Sequence, residues 1–330
     1  MVKQPNVKWF AVGLAVAFGV AGFALVTGPA VAVDNVCVAR TSSSPGNLSW
    51  RLRQASGLTS LAASPNVLFT HNDRGIRDSP APGEDTTHAA VWAIGLNGTA
   101  LARFRLTSGG TPIPYFDTEA ISRDPLGRLV LADTGTNVDG RVTVALYRFT
   151  PPPVTAGQAY VEQDIGAEVI PLAYYANATT STRTALNVEA MAIDLAGNAW
   201  FVPRNSNLPY SYTATAAALN QAAGSTTPAR AVRSTRLAVN GPMTDASFSP
   251  DGTMLLVKSI STVYAYDLRT TPVVTALART PCAVATASKA KAPGYGEAIV
   301  ARDDGSFVTV AEGSKTQTSG LSSALWSFSV

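Results

Sequence analysis

Histidine, cysteine and charge are all scarce in this chain. Two histidines and two cysteines are spread over 330 residues, and only 14% of the residues are charged; soluble domains usually carry about 25%. There is no H-E-x-x-H motif, no Cys/His cluster, no G-x-S-x-G, no P-loop, and no glycine fingerprint opening a βαβ unit. These absences argue against a metalloprotease, a serine hydrolase of the α/β type and a nucleotide hydrolase. A surplus of charge is missing too. The net charge is +3, and Lys3 and Lys8 lie in a leading segment; without them 23 basic residues face 22 acidic ones. Nothing in that balance points to a nucleic-acid or membrane-surface partner.

The long apolar run is residues 9–26. Two lysines precede it, Gly28 and Pro29 break it, and Ala30-Val31-Ala32 supplies a small-x-small cleavage site. This pattern reads as a secretory signal over residues 1–32, with an uncleaved anchor as the alternative. The expected product is secreted, with no stable membrane span. Export permits a disulfide, and Cys37 and Cys282 are the expected pair. Chain-entropy models allow a bridge closing so long a loop up to roughly 5 kcal/mol.

An internal repeat is the main signal. A carboxylate, a short apolar run, a D/P-x-x-G turn and a second apolar run recur in order. The copies are TEAISRDPLGRLVLAD (118–133), VEAMAIDLAGNAWFVP (188–203), TDASFSPDGTMLLVK (244–258) and GEAIVARDDGSFVTVAE (296–312). TSLAASPNVLFTHND (59–73) is a weaker copy without the acid. The spacing aligns Ser60, Glu119, Glu189, Asp245 and Glu297. Each copy predicts two strands and a tight turn.

A third strand follows each copy: 91–96, 144–149, 210–215, 263–268 and 325–330. A fourth follows four of them: 100–106, 167–172, 231–237 and 273–279. Four-strand units at such a period are the blades of an all-β propeller, here five, or six if residues 150–187 hide further strands. The chain ends after the last unit's third strand. Residues 48–55, LSWRLRQA, are therefore expected to complete that blade and remove an exposed edge. Residues 33–47 would lead in, and 48–330 would form one domain. A β-sandwich, or two, is the competing fold. The Ala-rich run from Thr213 to Ala223, ending at Gly224, reads as a short helix.

In a propeller the first strand of each blade lines the axis, so Glu119, Glu189, Asp245 and Glu297 would converge. Like charges brought together are relieved by protonation or by a cation, and calcium accepts several carboxylates at loose angles. The plainer reading is that each acid caps backbone N–H groups or pairs with a neighbouring blade's Arg or Lys. The ends of the second strands would form another ring: His71 with Asp73, then Asp133, Arg204 with Asn205, Lys258 and Glu312. Arg204, Asn205, Lys258 and Glu312 suit a polar or anionic ligand, or inter-blade ion pairs. His71 beside Asp73 could serve as a general base.

THNDRG (70–75), FDTEAIS (116–122), LVLADTGTN (129–137) and VALYRF (144–149) resemble the secreted bacterial propellers of the SdiA-regulated and esterase-like phytase groups, with their D-x-E-A/G-I … D-x-G-D-N pattern. The segment running to Asn137 departs from that pattern: it reads ADTGTN and lacks the second Asp. The resemblance implies a calcium-containing propeller, with Glu119 and Asp133 as channel residues and Glu189 and Glu297 as their repeat equivalents. The functional expectation is a secreted propeller that binds a small ligand or an envelope protein around a cation. The alternative is a calcium-dependent hydrolase of phosphoesters or lactones.

Overall fold

The computed structural model describes residues 41–49, 51–52, 54–64, 66–73, 88–114, 116–136, 140–204, 209–285, 296–311 and 324–329. The expected signal segment, Cys37, Asn205 and Glu312 lie outside them.

Turn chemistry and alternating apolar residues divide the chain into antiparallel meanders. A first strand, β1 (Thr41–Asn47), stands apart in sequence from its sheet. The next sheet is built from β2 (Ala55–Ser60), β3 (Val67–Asn72), β4 (Ala90–Gly95) and β5 (Ala100–Ser108), with the short β6 (Thr111–Pro112) on β5. Then come β7 (Ala120–Arg123), β8 (Leu129–Asp133), β9 (Val144–Phe149), β10 (Val161–Gly166), β11 (Glu168–Tyr175) and β12 (Arg183–Thr184). They are followed by β13 (Val188–Ile193), β14 (Ala199–Pro203), β15 (Tyr210–Ala214), helix α1 (Ala216–Ala222) and β16 (Ala229–Arg236). The order β7-β8-β9-β11 joins β16-β15-β14-β13 through a parallel contact between β11 and β16. A further sheet holds β17 (Met243–Phe248), β18 (Met254–Ser259), β19 (Thr262–Asp267) and, after helix α2 (Val273–Leu277), β20 (Cys282–Ala285). The last is β21 (Gly296–Ala301), β22 (Ser306–Ala311) and β23 (Ala324–Ser329), completed by β1.

The strands that open these meanders pack against one another in a circuit. β2 meets β7, β7 meets β13, β13 meets β17, β17 meets β21, and β21 returns to β2. The apolar layers follow the same circuit. Phe69 and Phe104 pack with Leu129 and Tyr147; Leu146 and Tyr174 with Phe201 and Leu219; Trp200 with Leu255 and Leu277; Leu256 with Ile299 and Phe307. The final layer joins Leu58 and Trp92 to Val300 and Val308. Each fully buried side chain of this size stabilises the fold by about 1.5–3 kcal/mol. Radial sheets around a ring of first strands make a β-propeller.

Two expectations need correction, and one left open is filled in. The closing strand is β1, which pairs antiparallel with β23, and not residues 48–55. That segment turns at Ser49–Leu52, and Leu48 and Leu52 plug the layer between the first and last sheets. β1 carries no apolar alternation in its sequence, and its backbone pairs with β23 with a register shift between Ser43 and Gly46, around Pro45. Residues 273–279, read as a strand, begin with α2 behind Pro272, and the pairing strand is β20. Within 150–187, β10 lies parallel on β5 and extends that sheet outward. The Ala-rich helix is present as α1, capped by the Thr215 side chain, which accepts from Ala218 N.

Candidate functional site

A bulge sets the direction of the acids. Pairing skips one residue between Val188 and Ala190, between Met243 and Asp245, and between Gly296 and Ala298. The residues left unpaired are Glu189, Thr244 and Glu297, at the start of each inner strand, and such bulges re-aim a side chain. Glu119 stands at the same level, its N–H bonded to Ala132 O at 2.9 Å.

Asp245 is therefore one place out of the series. Its strand ends in a turn that carries one more residue than Asp124–Arg128, closing through Ser249 N and Met254 O. Aligned on that turn, Thr244 matches Glu119, and Asp245 matches the buried Ala120, Ala190 and Ala298. Asp245 is 0% exposed. Its Oδ2 accepts from Leu58 N (3.2 Å) and Ile299 N (2.8 Å), and its Oδ1 from Ala246 N (2.8 Å). One carboxylate thus ties three inner strands together. Burial raises its pKa well above the usual range, against those donors and Lys258. The geometry makes it a staple of the ring and removes it from the cation set.

Asp133 is also fully engaged. Its Oδ1 accepts from Arg141 Nη2 (2.7 Å) and Asp117 N (3.0 Å), and its Oδ2 from Tyr147 Oη (2.9 Å). The carboxylate holds the Asp117 backbone in position; it does not join the acid group. Ser60 sits at the far end of β2, and the residues level with Glu119 are Ser56, whose hydroxyl donates to Glu119 O at 3.0 Å, and Gly57.

Among the described residues, the acids that assemble are Asp73, Asp117 and Glu119. Each presents a carboxylate oxygen within 4.8 Å of the others, a spacing that could hold a metal ion. Asp117 and Glu119 are buried at 3% and 2% exposure, while Asp73 is half-buried. Glu119 Oε1 is buried with no hydrogen-bond partner, a costly state for a carboxylate. Burial raises the Glu119 pKa well above its ordinary value, and the carboxyls of Asp73, Glu189, Asp117 and Glu297 push it further. Gly135 lets β8 leave the sheet past this group. A Cβ there would stand 2.5 Å from Glu119 Oε1 and closer still to the Asp117 carboxyl. Asp117 was not among the residues singled out by the repeat; the signal available was its D-x-E spacing to Glu119.

The flanking cations are engaged within the protein. Arg204 donates to Glu189 Oε2, and Asn187 Nδ2 donates to Glu189 Oε1 at 3.1 Å. Burial still raises the Glu189 pKa, against the Arg204 and Asn187 bonds. Lys258 is 2% exposed and donates from Nζ to Ser259 O at 2.9 Å. Burial lowers its pKa to about 8, opposed by Glu297 and Asp245. Lys258 is enclosed, and Arg204, 31% exposed at its side chain, is paired with Glu189 through Nη1. His71 is 0% exposed, and its Nδ1 bonds Asn72 O at 2.9 Å rather than Asp73. Burial lowers its pKa to about 4. The neutral imidazole is enclosed beside Gly57 of β2, where a Cβ would stand 2.6 Å from its Nε2, and that Nε2 is buried without a hydrogen-bond partner among the described residues. The His71–Asp73 pair expected as a base is not formed.

No protein-family model and no curated protein matches the chain. Similar solved structures include a gluconolactonase from Xanthomonas campestris, with a TM-score of 0.41 and 14% identity over 87% of this chain and 89% of that one. A luciferin-regenerating enzyme gives 0.42 and 11% over 84% and 78%. The PQQ-bound aldose sugar dehydrogenase of Streptomyces coelicolor gives 0.40 and 11% over 87% and 83%. At these scores the likenesses decide nothing about substrate or mechanism. The resemblance to the SdiA-regulated and phytase-like groups rests on short motifs alone.

Proposed function

We propose that the chain is a five-bladed, exported propeller hydrolase that uses a divalent cation, calcium by its oxygen donors, to cleave an uncharged lactone. The observation that carries this reading is Glu119 Oε1, buried without a partner within reach of the Asp73 and Asp117 carboxyls. The three acids would hold the cation; when bound, it would polarise a carbonyl oxygen and lower the pKa of water. Asp73, the half-buried member, would face the entry side, while Asp133 and Gly135 position Asp117 from behind.

Charge selects the lactone over the phosphoester. Five carboxyls (Asp73, Asp117, Glu119, Glu189 and Glu297) face Arg204 and Lys258, and both cations are already bonded within the protein. Even with a divalent ion in place, a surplus of negative charge would remain to repel a phosphate dianion. A disulfide between Cys37 and Cys282, tying the segment before β1 to β20, belongs to the same proposal.

Near-complete burial of Asp117 and Glu119 favours one second reading, in which the cation is structural and the propeller binds a small polar ligand or an envelope protein. Metal analysis, a calcium titration and a panel of lactones and phosphoesters separate the two. The hydrolase reading expects calcium-dependent lactone opening, abolished in Glu119→Gln. Calcium binding without turnover would leave the second reading standing, and the absence of calcium binding would remove both.

A further inference from the structure

A second site lies at the opposite end of the inner strands. β7 and β13 run about 15 Å from the acid cluster into the turns Asp124–Arg128 and Asp194–Asn198. Between these turns and α1 lies a cleft of about 240 Å³, below the roughly 300–1,000 Å³ usual for drug-sized ligands. Its walls include Leu146, Ile170, Ile193 and Leu219, all buried. Leu126 and Leu195, 78% and 59% exposed, line its rim.

The polar side chains of this wall are Asp124, Arg128, Arg148 and Asn220; Arg128 is paired with Asp124, and Arg148 is the buried cation. Its side chain is 9% exposed. Nε donates to Glu168 Oε2 and Nη1 to Asn220 Oδ1, both at 2.7 Å, whereas Nη2 makes no hydrogen bond among the described residues. A guanidinium held on two sides and open on the third is a preorganised half of a charge-assisted pair. Asp124, the acid in the lining, is taken up by its own turn: it accepts from Leu126 N, Arg128 N and Arg128 Nε.

We propose that this cleft binds a small carboxylate with an unbranched apolar tail, the carboxylate on Arg148 Nη2 and the tail between Leu146, Ile170, Ile193 and Leu219. The site uses no residue of the acid cluster, so its fate and that of the hydrolase reading are independent. Octanoate is a suitable probe, with octan-1-ol as its uncharged counterpart, both titrated calorimetrically into the full chain with chelator present. Saturable 1:1 octanoate binding is expected, about tenfold or more tighter than octanol. Arg148→Gln should erase that difference. Ala196→Trp, at an exposed turn position in the lining, leaves the Arg148 bonds intact and should block both ligands by filling the cleft. No saturable octanoate binding at millimolar concentration, equal affinity for octanoate and octanol, or binding unchanged in Ala196→Trp would each overturn the proposal.

Discussion

Asp245 and Glu119 are both buried carboxyls at the start of an inner strand, and they have opposite fates. Three backbone N–H groups from β2, β17 and β21 fill Asp245. Glu119 has an oxygen with no partner and acids on several sides. Both are buried carboxyls, so neither burial nor acidity distinguishes a structural acid from a functional one. Hydrogen-bond accounting does. A carboxylate whose lone pairs are used can be removed only at the expense of the fold; one left unsatisfied is waiting for a ligand or a proton.

The largest test of that contrast is Asp245→Ala. It orphans Leu58 N and Ile299 N in the ring, and a loss of about 4 kcal/mol is expected, read by denaturant unfolding. If stability falls by less than about 1 kcal/mol, Asp245 is not the staple described. Glu119→Gln should behave oppositely. In chelator it relieves like-charge crowding, so the variant should be at least as stable as the parent. Calcium at 100-fold its Kd should stabilise the parent by about 2.7 kcal/mol and leave Glu119→Gln unmoved. A variant that still responds to calcium would place the cation elsewhere.

Much of the fold is legible because each unit repeats the same local chemistry: alternating apolar strands around a turn with Pro or Asp and Gly. What failed was not local. β1 carries no apolar alternation, and its partner β23 is at the other end of the chain. The run at 273–279 has β-branched residues but follows Pro272, whose φ of −58° already suits a helix start. At the site, Glu119 was readable from T-E-A-I, and Asp117 sat unused two residues earlier. Asp245 was misplaced because T-D-A matches T-E-A by letter, while the extra turn residue shifts the true register by one. Its partners Leu58 and Ile299 are 187 and 54 residues away, a distance no repeat pattern reports.

Two smaller effects sharpen the same comparison on the cation side and at the backbone. Lys258 has its pKa lowered by burial to about 8, so between that value and about 10.4 the unfolded chain binds more protons than the folded one. Stability should therefore rise with pH from about 8 to 9.5, by up to about 2 kcal/mol. Above that, buried tyrosines such as Tyr147, whose pKa is raised chiefly by burial and then by Asp133, reverse the slope. Lys258→Met should flatten the rise, and a rise that persists would assign it to another group. The smallest effect belongs to Ser56, whose hydroxyl holds Glu119 by its carbonyl and not by its carboxyl. Ser56→Ala should lose about 1 kcal/mol with calcium affinity intact. If calcium affinity falls with it, the Glu119 backbone, and not only its side chain, is part of what the cation requires.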